Sequence, residues 1–360
     1  MEGNNTIRPI QLGLIVFITQ TGVGIVMLPA TLAKEVGHDG WISVIITSIA
    51  VIILSALIML LMKRYSDKGI YDINKLIYGK IIGLGFNILL VAYLLAATVA
   101  GASLFNIFIR ITILQATPSW ALAPVIILPS FYLVWQGLKS ISRFLYLSMI
   151  NYLIIPILII LLYDNFKGSF LLPLGEAGVL PMLYSVKSCF FAFIGFELIV
   201  FFYPWVSEKK KVFKWYILAT IVSTFIFVST VAATTAVFGE NMVSLFSMPF
   251  FNLSRIYNAP ILERVDLYLI AIWYIPMACS MRSYIFAAFD GLQKVFMIKK
   301  NRLSYFIFFA SVLILSSIPK DINQIFMLID IINYAGMFIS FFLVLCLILS
   351  FIRKKGVKTR

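Results

Sequence analysis

Two glycine-containing motifs inside long apolar runs are the features of this sequence that could bind a small ligand. The first run contains Thr19-Gln20-Thr21-Gly22-Val23-Gly24, and the sixth contains Phe193-Ile194-Gly195-Phe196-Glu197. A backbone in hydrocarbon has to hydrogen-bond to itself, so an interrupted helix is costly unless it lines a site. The amides of such a break attract a carboxylate, and its carbonyl ends favour an ammonium group or a cation. Together the two motifs predict a site for a zwitterion, such as an amino acid.

The positions of the two motifs within their runs support this interpretation. Gly22 lies about 14 residues into its run, which at about 1.5 Å per residue is roughly 21 Å, near mid-bilayer. Gly195 lies at a similar depth, five helices further along. Five crossings invert the second copy of a repeat, and matching interruptions in inverted halves mark transporter-type binding sites. Either motif alone is explained equally well by close helix packing, in which small residues are common.

Glu197 is the residue whose chemistry is most unusual for its place in the chain. Ionisable side chains near mid-bilayer are rare, and they are functional hypotheses by default. We expect Glu197 in the first turn of the second half of helix 6, where the helix dipole stabilises a carboxylate. Two interpretations stay open: it contacts a ligand amine or takes part in proton coupling, or it is a structural cap that ties two helices together. Lys187 and Arg282 are expected to extend toward opposite membrane interfaces, and Asp330 to be interfacial.

Two pairs of side chains at i, i+4 spacing could complete a compact pocket. Tyr93 and Ala97 share a face of helix 3, and Ser280 and Tyr284 share a face of helix 8. An aromatic hydroxyl beside a small residue can form the wall of a pocket for a small ligand. From spacing alone, ordinary helix packing is the more common explanation of such pairs.

The elements that must position these residues are transmembrane helices. Hydrophobic residues make up 62% of the chain, charged residues 12%, and the mean hydropathy is +1.01. Soluble domains are near half apolar and a quarter charged, so lipid has to cover this chain. Runs of about 20 apolar residues predict an all-α polytopic membrane protein in a 5+5 inverted-repeat transporter fold, with helices 1 and 6 broken. The ten predicted helices are 8–33, 41–62, 82–110, 120–138, 143–163, 181–204, 215–238, 265–290, 303–319 and 326–352, in one domain (1–360) whose repeats cover 8–163 and 181–352.

The basic residues follow the alternation of the predicted helices. If the amino terminus is cytoplasmic, 21 of the 29 basic residues lie in inside segments, six lie at outside ends and loops, and two lie within helices. This asymmetry predicts that both termini face the cytoplasm. Attraction to anionic membrane lipid accounts for the net charge of +14. Nucleic-acid binding is not expected, because nothing resembling a reading element accompanies the charge.

The cysteine and histidine content argues against a metal centre or an enzyme. The three cysteines lie in apolar runs and imply no disulfide framework. The one histidine, His38, lies in a connecting loop, so no conventional zinc cluster is expected. The sequence also has no histidine–acid cluster and no nucleotide-binding loop. We therefore expect no cofactor, no metal and no enzyme activity.

The residues of the two motifs resemble a known superfamily. Gly22-Val23-Gly24-Ile25 with Pro29, and Phe190-Phe191-Ala192-Phe193-Ile194-Gly195-Phe196-Glu197, resemble the helix 1 and helix 6 signatures of amino acid–polyamine–organocation transporters. Three further motifs, with the length and the helix count, resemble the spore germination permease family, the B subunits of nutrient germinant receptors. These motifs are Asp39-Gly40-Trp41, Leu262-Glu263-Arg264 and Pro319-Lys320-Asp321-Ile322-Asn323-Gln324.

This resemblance implies an inverted-repeat transporter fold in the spore inner membrane, with recognition of an amino acid or another small nutrient that triggers germination. It also implies a complex with an A subunit and a lipoprotein C subunit. Because superfamily members bind their ligands with helices 1, 3, 6 and 8, it assigns ligand contacts to the residues singled out above. The expected set is Thr21, Gly22, Val23, Gly24, Tyr93, Ala97, Phe193, Gly195, Phe196, Glu197, Ser280 and Tyr284.

An alternative function stays open. An amino acid transporter coupled to protons or sodium could use alternating access about the same breaks. Some relatives carry a carboxylate in helix 3, whereas residues 91–109 of this chain contain none, so the resemblance does not extend to a proton-coupling group there.

Overall fold

The computed structural model describes residues 6–256, 265–319 and 321–353, where helices and turns are accompanied by one isolated bridge between Ile7 and Val206. The α-helices of the described ranges are α1 Pro9–Val36, α2 Gly40–Arg64, α3 Ile70–Tyr78, α4 Lys80–Thr112, α5 Ser119–Gln136, α6 Leu138–Ser148, α7 Ile154–Leu161, α8 Val179–Cys189, α9 Ile199–Phe202, α10 Val212–Phe238, α11 Glu240–Leu245, α12 Pro249–Ile256, α13 Val265–Phe296, α14 Arg302–Ser316 and α15 Ile322–Arg353. The predicted motif Leu262-Glu263-Arg264 and Lys320 of the third motif lie outside the described residues, as do both chain termini.

Each of the ten predicted spans coincides with one helix or with two helices joined by a turn. The fifth consists of α6 and α7 around the 3-10 turn Met149–Leu153. By length and hydropathy, seven stretches of the described chain could cross a membrane, or eight when the bent pair Val179–Phe193 and Phe196–Trp205 counts as one span. The first of these stretches, Pro9–Arg64, contains both α1 and α2, and α14 is a shorter apolar helix. The predicted all-helical membrane architecture is confirmed.

Hydroxyl side chains inside the helices hydrogen-bond to the backbone of their own helix rather than pointing into lipid. Thr47 donates to the carbonyl of Ser43, and Thr98 donates to the carbonyl of Leu94, each over one helical turn. This local bonding satisfies polar groups in apolar surroundings. The outward faces carry large exposed apolar side chains, such as Ile49 on α2, which lipid can cover.

Helix 6 is broken where the sequence predicts, and Gly195 makes the break sterically accessible. α8 ends at Cys189, the 3-10 turn Phe190–Phe193 follows, and the two halves of the helix meet at an angle of 54°. Gly195 has a φ of +119°, which L side chains rarely adopt. A Cβ at Gly195 would also lie 2.8 Å from Thr19 Cγ2 on α1. The break therefore needs glycine both for its dihedral angle and for its closeness to α1.

Helix 1 is not broken, and the prediction of a break there is wrong. α1 runs without interruption from Pro9 to Val36. Two of its hydroxyl groups donate to carbonyls one turn earlier, Thr19 to Ile15 at 2.6 Å and Thr21 to Phe17 at 2.7 Å. These hydroxyls therefore add hydrogen bonds within the helix, and they leave the bonds of its backbone amides in place.

The glycines of α1 permit close packing instead. A Cβ on Gly22 would lie 2.8 Å from the carbonyl oxygen of Pro276 on α13, and a Cβ on Gly24 would lie 2.8 Å from the Cα of Ala192 in helix 6. Small residues commonly let helix backbones approach each other in membranes. The packing explanation, which the sequence left open, therefore describes the glycine motif of helix 1.

Candidate functional site

A small cavity lies beside the break in helix 6, between residues of α1, α4, α13 and α15. Its volume is about 50 Å³. Five of the twelve predicted site residues line it: Val23, Gly24, Ala97, Ser280 and Tyr284. A cavity of this size holds a few water-sized groups and is smaller than an amino acid. In this conformation the cavity at the predicted site is therefore too small for an amino acid.

Glu197 is buried at the break and holds three parts of the molecule together. Its Oε1 accepts hydrogen bonds from the hydroxyls of Tyr93 on α4, at 2.8 Å, and Tyr284 on α13, at 2.6 Å. Its Oε2 accepts from the backbone amide of Gly195 at 2.8 Å. The side chain is 1% exposed and does not line the cavity. The third, sixth and eighth predicted helices thus meet at one carboxylate, where the third corresponds to α4, the sixth to the broken helix that contains α8 and α9, and the eighth to α13.

This bonding gives Glu197 the geometry of a structural cap. The amide of Gly195 is one of the donors that a break would offer to a ligand carboxylate, and here the carboxylate of Glu197 takes it. Burying a charged group costs free energy unless hydrogen bonds compensate, and three donors do so for Glu197. A ligand contact by Glu197 stays a prediction, because the carboxylate would first have to leave these donors.

The central residues of α1 face different neighbours. The carbonyl of Gly22 accepts a hydrogen bond from Trp273 Nε1 at 3.1 Å. The hydroxyl of Thr21 lies 2.7 Å from the hydroxyl of Tyr152, which belongs to the turn between α6 and α7. Thr21 does not line the cavity. Ser280 Oγ donates to the carbonyl of Ile18 at 2.6 Å, so α13 is fastened to α1 at the cavity wall.

The two aromatic residues predicted from the helix 6 motif belong to the packed core. Phe193 is fully buried, and its ring packs edge-on against Phe227 at a centroid distance of 5.2 Å. Phe196 packs in the same manner against Phe190 at 5.5 Å. Neither ring lines the cavity.

Gln20 lines the cavity, although it is not among the twelve predicted ligand contacts. The side chain is 1% exposed, and its Nε2 donates to the carbonyl of Phe193 at the break, at 3.3 Å. Its Oε1 is buried and accepts from no donor among the described residues. Buried polar atoms nearly always have a partner, so an unpartnered acceptor at a cavity wall marks a contact point. A polar residue inside an apolar run was the signal that could have identified it.

A second cavity of about 340 Å³ adjoins the first. The two cavities share Gly24, Phe191 and Ile329 in their walls. The larger one also reaches two exposed side chains, those of Lys34 and Asp330. Lys34 lies near the carboxyl end of α1, and Asp330 lies in the amino-terminal part of α15. A position of Asp330 at the membrane interface stays a prediction. Phe191 and Ile329 therefore separate the small cavity from the outer one.

Arg282 does not extend to a membrane interface, and that prediction is wrong. The residue is 4% exposed, and its guanidinium lies over the ring of Phe144 at 4.6 Å from the centroid. Its Nε donates to Ser130 Oγ at 3.3 Å, and one Nη donates to Cys279 Sγ at 3.4 Å. Aromatic and polar neighbours therefore hold this charge inside the protein. Lys187, by contrast, is exposed, and its ammonium lies over the ring of Tyr334 at 4.7 Å from the centroid.

His38 joins three parts of the chain at the carboxyl end of α1. Its Nδ1 lies 2.8 Å from Glu240 Oε2, its Nε2 lies 2.7 Å from the carbonyl of Pro173, and its backbone amide donates to Glu240 at 2.6 Å. Burial lowers the pKa of His38, but the hydrogen bonds to Pro173 and Glu240 outweigh it, so the pKa is raised. Both ring nitrogens face acceptors, which requires the doubly protonated imidazolium unless Glu240 carries the proton. In the described part of the chain, no group of three metal-ligating side chains occurs here or elsewhere.

The sequence matches germination proteins over most of its length. A model of the family described as "Spore germination protein" matches residues 6–325. The chain is 27% identical to Spore germination protein YndE of Bacillus subtilis (strain 168) over 97% of each chain. It is 23% identical to Spore germination protein B2 of the same organism, over 94% of this chain and 93% of that protein. Its identity to Spore germination protein A2 of that organism is 26%, over 91% of this chain and 90% of the relative.

The three-dimensional structure is similar to that of MhsT, which was solved in complex with L-phenylalanine. The TM-score is 0.64 at 16% sequence identity, over 96% of this chain and 98% of MhsT. A likeness at this identity shows the fold alone. The predicted transporter-type fold, of the LeuT-like class, is confirmed.

Proposed function

The chain belongs to the spore germination protein family, and on this premise we propose that it binds a small nutrient, an amino acid, beside the break in helix 6. In this proposal the chain is the B-type membrane subunit of a nutrient-germinant receptor in the spore inner membrane, with both termini on the core side. Nutrient binding favours one of two arrangements of the helices. A ligand can do this only through unequal affinity for the two arrangements.

The observation that carries the proposal is the buried acceptor of Gln20 at the cavity wall. Its Oε1 has no donor among the described residues, and an unpartnered buried acceptor costs about 1–3 kcal/mol. The ammonium group of an amino acid would supply the missing donor. The cavity must widen from about 50 Å³ before a ligand can do so. Binding is therefore coupled to a change of conformation, which is what a sensor needs.

The proposed partners are an A subunit and a lipoprotein C subunit. The described residues form helices and their connections, without a separate soluble domain that could carry a signal onward. A shift among membrane helices then has to be detected by another polypeptide in contact with them. Family membership supports this assignment of partners, and the receptor complex is the form in which germination should be triggered.

The second candidate function is amino acid transport coupled to protons or sodium. The observation that favours it is the fold, which the chain shares with MhsT. Two cavities separated by Phe191 and Ile329 are also compatible with stepwise access to a central site. Net uptake of the bound compound by the isolated chain in sealed vesicles would favour the transporter. Binding without uptake would favour the receptor.

The test of the binding site is ligand-dependent stabilisation of the purified chain across a panel of amino acids and other nutrients. A compound at 100 times its Kd should raise the free energy of unfolding by about 2.7 kcal/mol. Gln20→Leu should weaken the affinity for that compound about tenfold, because a hydrogen bond to a charged amine is lost.

Gln293→Leu is the matched control for this test. Gln293 lies on α13 outside the cavity, and its Nε2 is also buried without a partner among the described residues. It should bind the compound like the unchanged chain. An equal loss of affinity in both variants would contradict the site. A panel that stabilises neither the chain nor its complex with partner subunits would contradict the function.

A further inference from the structure

A large basic cavity lies at the opposite end of the molecule from His38, where α2 and α15 end and where the chain passes from helix 6 to α10. Its volume is about 1100 Å³. The charged residues that line it are Lys63, Arg64, Lys209, Lys210, Lys211 and Glu208. Five basic side chains against one acid make this cavity strongly positive, and we refer to it as the basic cavity.

Acidic residues neutralise only part of this charge. Lys211 pairs with Glu208 at 2.6 Å, and Lys209 lies 3.9 Å from Asp67. Lys63 and Lys210 have no carboxylate within ion-pair distance in the described part of the chain. Two full charges therefore face the basic cavity without a counter-ion among the residues that the structure describes.

Arg64 adds a third positive group with unused hydrogen-bonding capacity. Its guanidinium stacks over the ring of Phe351 at 4.3 Å and donates to the carbonyl of Ser350 at 3.0 Å. Its Nε is buried and has no partner among the described residues. A planar guanidinium held in this way is suited to a phosphate oxygen, which can accept from more than one of its nitrogens.

The wall of the basic cavity is apolar on the side that faces lipid. Leu60 is 51% exposed and Phe351 is 55% exposed, and each lies within about one turn of the end of its helix. Helix ends are where spanning segments meet the headgroup region of a bilayer. The basic cavity thus combines cations for a phosphate with an apolar surface for hydrocarbon chains.

We infer that the basic cavity binds the phosphate headgroup of an anionic phospholipid, whose acyl chains lie against Leu60 and Phe351. A free phosphate would be bound by the same cations, but it would leave the two exposed apolar side chains without a function. Basic pockets between helices at the inner membrane surface bind such headgroups in other proteins. The site is separate from the cavity at the helix 6 break, so this inference does not depend on the proposed function.

The experiment compares the full-length chain with Lys63→Gln/Lys210→Gln in its response to phosphatidylglycerol and phosphatidylcholine. These two lysines make no ion pair in the described part of the chain, so their replacement should leave the fold intact. The matched control is Lys299→Gln/Lys300→Gln, which removes the same charge from the exposed connection between α13 and α14. Melting temperature and intact-complex mass spectrometry report stabilisation and the number of retained lipids.

Phosphatidylglycerol should stabilise the unchanged chain and the control, whereas phosphatidylcholine should not. The pocket variant should bind phosphatidylglycerol about tenfold more weakly. Equal losses in both variants would overturn the site, because they would show a general effect of surface charge. Equal stabilisation by glycerol phosphate would overturn the assignment to lipid in favour of a soluble phosphate. Stabilisation by polyglutamate and not by phosphatidylglycerol would overturn it in favour of an acidic protein segment.

Discussion

Helix 1 and helix 6 carry similar glycine motifs near the centre of the molecule, yet only helix 6 is broken. A break frees backbone amides, which need an acceptor in hydrocarbon. Helix 6 supplies one in Glu197, whose carboxylate binds the amide of Gly195. The motif of helix 1 contains hydroxyls that donate to carbonyls of the intact helix. In this chain the glycine permits the break in helix 6, and the carboxylate beside it supplies an acceptor that the motif of helix 1 does not contain.

The largest effect should come from removing that acceptor with Glu197→Ala. Two tyrosine hydroxyls and one amide would lose their buried acceptor, and the free energy of unfolding should fall by about 3–5 kcal/mol. Thr21→Val in helix 1 is the matched change, and it should cost about 1–3 kcal/mol, because the backbone bonds remain and only the hydroxyl of Tyr152 loses a partner. Equilibrium unfolding of both variants in one detergent measures the difference. Equal losses would remove the basis of the comparison.

An intermediate effect should come from adding a methyl group to each glycine. Gly195→Ala and Gly22→Ala should each cost about 2–3 kcal/mol, the first through its positive φ and the second through overpacking. Ser280→Ala removes the atom closest to a Cβ on Gly22, so it should recover about 1 kcal/mol of the second loss.

The control for this rescue is Thr19→Ser combined with Gly195→Ala. It removes the methyl group closest to a Cβ on Gly195, but the dihedral strain remains, so little stability should return. Double-mutant cycles of unfolding free energy distinguish the two cases. Full rescue of Gly195→Ala would show that helix 6, like helix 1, uses its glycine only for close packing.

The smallest effect should appear at the outer end of helix 1, where His38 provides a tie that depends on pH. The pKa of His38 is raised in the folded protein, so the stabilisation is fully present below the ordinary histidine pKa, about 6.5. It is lost as the pH rises through the folded value. Two other carboxylates face the ring, that of Glu176 in the loop before α8 and that of Glu240 at the start of α11, and Asp39 is adjacent to it.

Unfolding measured between pH 6 and 9 tests this tie. The unchanged chain should lose stability across the range, and His38→Gln should flatten that part of the profile. A profile that keeps its slope in His38→Gln would assign the effect to another group.

The sequence was sufficient for those parts of the fold that depend on local composition. Apolar runs located helices at each of the ten predicted positions, and the pairing of Gly195 with Glu197 located the break. The break in helix 1 was predicted wrongly, because spacing cannot tell a glycine that changes the backbone from one that admits a neighbour. The neighbour of Gly22, Pro276, is far away in the chain.

The candidate site was predictable in outline and not in its contacts. The family resemblance, and not spacing, placed Tyr93, Glu197 and Tyr284 in the same region, but their hydrogen bonds follow from how helices 3, 6 and 8 pack. The acceptor of Gln20 is unpartnered only because its amide nitrogen is committed to a carbonyl in helix 6. Arg282 was misplaced for a similar reason, since Phe144 and Ser130 approach it from other helices. Such properties belong to the assembled bundle.

The two tyrosines that bind Glu197 have a consequence for how the chain is made. Tyr93 precedes the carboxylate by 104 residues, and Tyr284 follows it by 87. At a synthesis rate of about 5–20 residues per second, Tyr284 is made roughly 4–17 s after Glu197. During that interval the acid has only part of its final set of donors. The set of donors at the break in helix 6 is therefore completed only when α13 has been synthesised and packed against it.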